Sequence, residues 1–139
     1  MTTPLTLQTP IRAIMSRSVI HLREQDGLEE AVELMVQAKI ACVVICRSLV
    51  PKGIVTERDV TMLYRSPLPP SRDVSLASIM HAPVHTVLDT DTLETVLRSV
   101  DRLEIRHIPV VGANGELAGL VTQTDLLRAC ARLLMPGER

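Results

Sequence analysis

"GIVTERD" at residues 53–59 returns as "GLVTQTD" at 119–125. The offset is 66 residues, and only the pair between Thr and Asp changes character. Self-similarity at a fixed period is the first thing to follow outward in a new sequence. Upstream, "IMSRSV" at 14–19 matches "IMHAPV" at 79–84, and "DGLEEAVELM" at 26–35 matches "DTLETVLRSV" at 91–100, both at an offset of 65. "IACVVIC" at 40–46 faces "IRHIPVV" at 105–111. The offset slips by one between "RSLVPKG" and "GANGELAG", where Gly112, Asn114 and Gly115 are turn residues.

The chain therefore divides into an N-terminal arm (1–12), a first repeat (13–65), a Pro-rich join (66–77), a second repeat (78–134) and a short tail (135–139). Pro67, Pro69 and Pro70 give the join the character of an exposed linker. Each repeat reads β-α-β-β-α. Strands are expected at Val19–Leu22 and Val84–Leu88, at Val43–Ile45 and Ile108–Val111, and at Gly53–Val55 and Leu117–Val121. Asp26 and Asp91, each followed three residues later by Glu29 or Glu94, read as N-caps of the intervening helices. Leu28, Ala31, Val32, Leu34 and Met35, and Leu93, Val96, Leu97 and Val100, recur at helical spacing on one buried face. The second helix of each repeat starts after Thr56 or Thr122. The fold class is α+β. A repeat of about 50 residues is marginal alone, so the two are expected to pack about a pseudo-twofold axis.

Composition narrows the function. The 139 residues carry 15 Lys+Arg against 16 Asp+Glu, a net charge of −1. That balance leaves no basic footprint for nucleic acid or an anionic membrane. With no Trp, no Phe and one Tyr, the chain lacks the stacking platform of single-strand binders. No apolar run reaches membrane-spanning length, and the N-terminus is not a signal peptide. A soluble protein of the cytoplasm is expected. Cys42 and Cys46 on one strand are roughly 13 Å apart at ~3.3 Å per residue, too far for a disulfide, and read as buried thiols. His21, His81, His85 and His107 do not make a metal site. "GANGELAG" lacks the Lys-Ser/Thr of a P-loop. No nucleophile elbow or catalytic carboxylate pair is present, so no enzyme activity is expected.

Thr-x-x-Asp has two readings. Thr at the N-cap and Asp at N3 close a capping box. The same helix start also offers N–H groups to an anion, a hydroxyl to a phosphate, and a carboxylate that accepts from a ribose diol.

Together, "IM" before the first strand, "HIPVV" in the second repeat, and Gly-h-h-Thr-x-x-Asp closing each repeat resemble a tandem pair of cystathionine β-synthase (CBS) domains, a Bateman module. The resemblance spans residues 13–134. It implies a non-enzymatic sensor that needs no cofactor and binds an adenosine compound (AMP, ADP, ATP, S-adenosylmethionine or NAD) in a cleft between the repeats. It implies signalling by conformational or oligomeric change. By position, Thr122 and Asp125 with Arg106 and His107 make one site, walled by Val19, Ile20 and Ile40. Thr56, Arg58 and Asp59 make the other, walled by Val84, His85 and Ile105. The first repeat has Ala41-Cys42 where the second has Arg106-His107, so unequal affinities are expected. The family also implies a homodimer through helices, with Val60, Leu63, Leu126, Leu127, Ala131 and Leu134 as interface candidates, and a downstream protein partner. Met1 and the short tail suggest a complete chain. The alternatives are a scaffolding dimer in which Thr-x-x-Asp only caps helices, and a regulatory fragment of a larger enzyme or transporter.

Overall fold

The computed structural model describes residues 4–68, 70–135 and 137. Pro69 of the join and the outermost residues of the arm and tail lie outside them. Among the described residues, ten strands and α-helices follow the expected order: β1 (His21–Arg23), α1 (Leu28–Ala38), β2 (Cys42–Arg47), β3 (Val50–Thr56) and α2 (Glu57–Tyr64), then β4 (Val87–Leu88), α3 (Leu93–Leu103), β5 (His107–Val111), β6 (Leu117–Thr122) and α4 (Gln123–Leu134). Two three-stranded sheets result, ordered β1-β2-β3 and β4-β5-β6. In each, the first pair is parallel and the second antiparallel. The first strand of each repeat is shorter than expected and starts later: Val19, Ile20 and Val84 to Thr86 lie outside the strands, although the Ile20 carbonyl still accepts from the Val44 amide at 3.1 Å.

The expected Asp caps are corrected. Gly27 and Thr92 occupy the N-cap positions of α1 and α3. Asp26 instead accepts from the Arg23 amide at 2.7 Å, and Asp91 from the Leu88 amide at 2.9 Å. Each carboxylate closes the turn that leads out of the strand, a competing local use of a short acidic side chain. The bond from Arg23 holds the Asp26 carboxyl below the usual carboxylate range. Nor do Glu29 and Glu94 reach back to a cap. They pair with Arg72 and Arg98.

The chain forms two compact units whose limits cross those of the sequence repeats. A central unit spans Val19–Val84, and a terminal unit combines the residues up to Ser18 with those from His85 onward. Backbone accounting explains the exchange, since the first amides of a helix lack intrahelical acceptors. In α3, the Leu93 and Glu94 amides donate to the carbonyls of Thr9 and Leu7, both in the arm. In α1, the Leu28 amide donates to Val74 of the join. The side chains follow. Ile11 from the arm is fully buried with Leu93, Val96, Ile108, Val110 and Val121. Leu76 from the join is fully buried with Ala31, Val43, Ile45 and Val55. Ile11 of the arm and Leu76 of the join are thus core residues of these units.

Candidate functional site

Both Thr-x-x-Asp motifs sit where an antiparallel strand passes into a helix. Thr56 caps α2 and Thr122 caps α4, each in extended geometry. Each threonine hydroxyl accepts from the Asp amide at 3.2 Å. The carboxylates answer: Asp59 Oδ2 accepts from the Thr56 amide at 2.7 Å, and Asp125 Oδ2 from the Thr122 amide at 2.9 Å. The next amides, Glu57 and Gln123, donate to the carbonyls of Ala41 and Arg106. These bonds hold each helix start against the beginning of the neighbouring strand.

The motif glycine has its own cause. A Cβ on Gly53 would lie 2.5 Å from Met80 Sδ and 2.9 Å from the His81 carbonyl oxygen. One on Gly119 would lie 2.6 Å from Met15 Sδ and 2.7 Å from the Ser16 carbonyl oxygen. The "IM" segment of each repeat therefore crosses the last strand of the other repeat where a side chain has been omitted. His81 bridges Ile54, and Ser16 bridges Leu120.

Thr122, Asp125, Arg106 and His107 come together in the terminal unit, with His107 directly opposite Thr122 in the β5–β6 ladder. Thr56, Arg58, Asp59 and Val84 share the central unit, with Cys42 opposite Thr56. Of the remaining expected walls, Val19, Ile20 and Ile40 belong to the central unit, and His85 and Ile105 to the terminal one. Arg58 and Arg106 are exposed. Burial pushes the Cys42 thiol up to about 12 and that of Cys46 to about 11, so both stay protonated and inert at neutral pH. The two ends thus differ chemically: a neutral thiol faces Thr56, an imidazole faces Thr122.

Two features escaped the sequence reading. His81 Nε2 lies 2.7 Å from Asp59 Oδ1, a contact between residues 22 apart on separate elements. His85 Nε2 is sealed from water and has no partner among the described residues. Met15 and Met80, the second letters of the repeated "IM", were the available signal for the crossing segments. Among the described residues no cluster suits a metal ion, and no helix is long and apolar enough to cross a membrane. One groove of about 570 Å³ opens in the central unit, lined by Leu28, Val32, Val60 and Tyr64 with Glu29, Glu33 and Arg72. It contains none of the Thr56–Asp59 residues.

A CBS domain family model matches residues 11–66 and again 76–132. Among curated proteins, the chain is 36% identical over 112 residues to the inosine-5'-monophosphate dehydrogenase of Korarchaeum cryptofilum, covering 79% of this chain and 22% of that enzyme. An uncharacterized Methanopyrus kandleri protein is 40% identical over 79 residues, 56% of this chain and 40% of that protein. The chain thus spans well under half of these relatives. Among solved structures, AcuB of Vibrio cholerae superposes with a TM-score of 0.84 at 27% identity, covering 96% of this chain and 100% of that one. CBSX2 in complex with AMP gives 0.77 at 20% identity, covering 91% and 98%.

Proposed function

The chain belongs to the CBS domain family, and from that premise we propose that it is a regulatory module binding an adenosine-containing ligand at its Thr-x-x-Asp motifs. The observation that carries this reading is how the motif's polar groups are used. At the second motif the capping box engages the Thr122 hydroxyl as an acceptor and only Oδ2 of Asp125. The hydroxyl hydrogen remains available to a phosphate oxygen. Oδ1 of Asp125 has no partner among the described residues and suits a ribose hydroxyl. Arg106, exposed beside the helix start, adds a phosphate-binding cation. AMP in the similarly folded CBSX2 supports an adenine nucleotide. The ligand acts as a signal and not as a cofactor. Its differential affinity for two arrangements of the module biases one of them.

Thermal unfolding against AMP, ADP, ATP, S-adenosylmethionine and NAD tests the reading. Ligand at ~100 times Kd adds roughly 2.7 kcal/mol, a rise of several degrees at this size. The rise from binding at the second motif disappears in Asp125→Ala. No shift with any compound at millimolar concentration returns Thr-x-x-Asp to helix capping alone, the role of a scaffold.

We further propose a homodimer through the helices, with an unidentified protein reading its state. Leu127 and Leu134 on α4 are 69% and 81% exposed, whereas Leu126, an expected interface residue, is core of its own unit. Leu127→Glu combined with Leu134→Glu is expected to leave the helical circular dichroism intact and convert the dimer to monomer in sedimentation velocity. A wild-type chain already monomeric at micromolar concentration removes the dimer.

A further inference from the structure

The two motif carboxylates are not equally engaged by side chains among the described residues. Asp59 and Asp125 each commit Oδ2 to the threonine amide. On Asp59 the other oxygen is also engaged, by His81 Nε2 at 2.7 Å. The Asp59 side chain is 16% exposed and His81 71%. On Asp125 no second side chain bonds Oδ1 among the described residues. The backbone frame around the two is the same. His81 exchanges both bonds with Ile54 at 3.1 and 3.0 Å, and Ser16 exchanges both with Leu120 at 2.9 and 2.9 Å. Met80 and Met15 cover the two motif glycines alike. What differs is the residue carried to that place. The imidazole of His81 is long enough to reach the carboxylate, and the hydroxymethyl group of Ser16 makes no such bond.

We propose that His81 is an internal competitor for the Asp59 carboxylate, making the Thr56–Asp59 site the weaker of the two. The inference rests on the adenosine reading above and adds what governs occupancy. A ribose diol donates two O–H bonds. At Asp125 it meets an oxygen with no partner among the described residues. At Asp59 it must first displace an imidazole held by one short hydrogen bond, worth about tenfold in affinity. Because His81 is mostly exposed and held to Asp59 by its ring alone, it can swing away without disturbing the core. The first site therefore fills second, at higher ligand concentration, and the module responds over a wider range than a single site allows.

AMP titrated calorimetrically into paired variants tests this. Asp125→Ala isolates the first site and Asp59→Ala the second. In the Asp125→Ala background, His81→Ser is expected to tighten binding about tenfold. In the Asp59→Ala background the same change leaves affinity as it was. The reverse graft, Ser16→His, is expected to weaken the second site by a similar factor. Melting curves of every variant without ligand confirm folding. First-site binding no tighter after His81→Ser, undetectable in both members of the pair included, overturns the competitor while second-site binding leaves the adenosine reading standing. If the wild type and every variant fail to bind AMP, ATP and S-adenosylmethionine, both fall together.

Discussion

Gly119→Ala is expected to destabilise the protein by about 2 kcal/mol, near the middle of the range for overpacking a tight site, and to lower Tm by roughly 5–10 °C. The new methyl would sit 2.6 Å from Met15 Sδ and 2.7 Å from the Ser16 carbonyl oxygen. The thioether can rotate aside. The carbonyl cannot, because it accepts from the Leu120 amide while the Ser16 amide donates to Leu120. Relieving the clash means parting the two segments and losing both bonds. The damage extends further, since Met15 and Ile11 on that segment fill the core of the terminal unit. Gly27→Ala is the control. Its Cβ would meet nothing closer than 3.8 Å, and the weaker N-capping of alanine at that position is offset by its lower entropy in the unfolded chain, so its melting point should stay within about two degrees of wild type. Equal melting of Gly119→Ala and wild type would show that the crossing segment yields freely.

The second large effect concerns where the chain can be cut. A fragment of residues 13–65, the first repeat as the sequence delimits it, is expected not to fold. It lacks Leu76, fully buried among Ala31, Val43, Ile45 and Val55. It also leaves the Leu28 amide of α1 without the Val74 carbonyl. Losing one large core side chain costs about 2–5 kcal/mol, a large share of the stability of so small a domain. A fragment of residues 19–84 retains these groups and is expected to unfold cooperatively in urea. Sloping, non-cooperative curves for 13–65 beside a sigmoidal curve for 19–84 would bear this out. Equal cooperativity in the two fragments would show that the join adds nothing to the core.

Read alone, the sequence determined a good deal. The matched heptapeptides and the two offsets near 65 set out two copies of one β-α-β-β-α unit, because helix and strand periods and turn residues are local properties. The start of the second helix in each copy was legible for the same reason. Thr and Asp three apart recognise each other across a single turn, and both capping boxes formed. The burial of Leu28, Ala31 and Met35, and of Leu93 and Val96, followed from helical spacing.

Tertiary structure decided what depended on distant groups. Asp26 and Asp91 had the spacing of caps, yet the amides of Arg23 and Leu88 were the donors that reached their carboxylates once the strand had turned. The arm and the join looked like connectors because segments so short carry no period. Their role became visible only where α3 and α1 lacked acceptors and the cores lacked a side chain. Unequal affinities of the two motifs are an expectation the sequence raises through Ala41-Cys42 against Arg106-His107. The contact of His81 with Asp59 was not legible there, because it joins residues 22 apart. Local spacing states which groups a residue can reach along its own element. Only the fold states which groups arrive from elsewhere, and in this protein those arrivals complete both cores and occupy one of the two motif carboxylates.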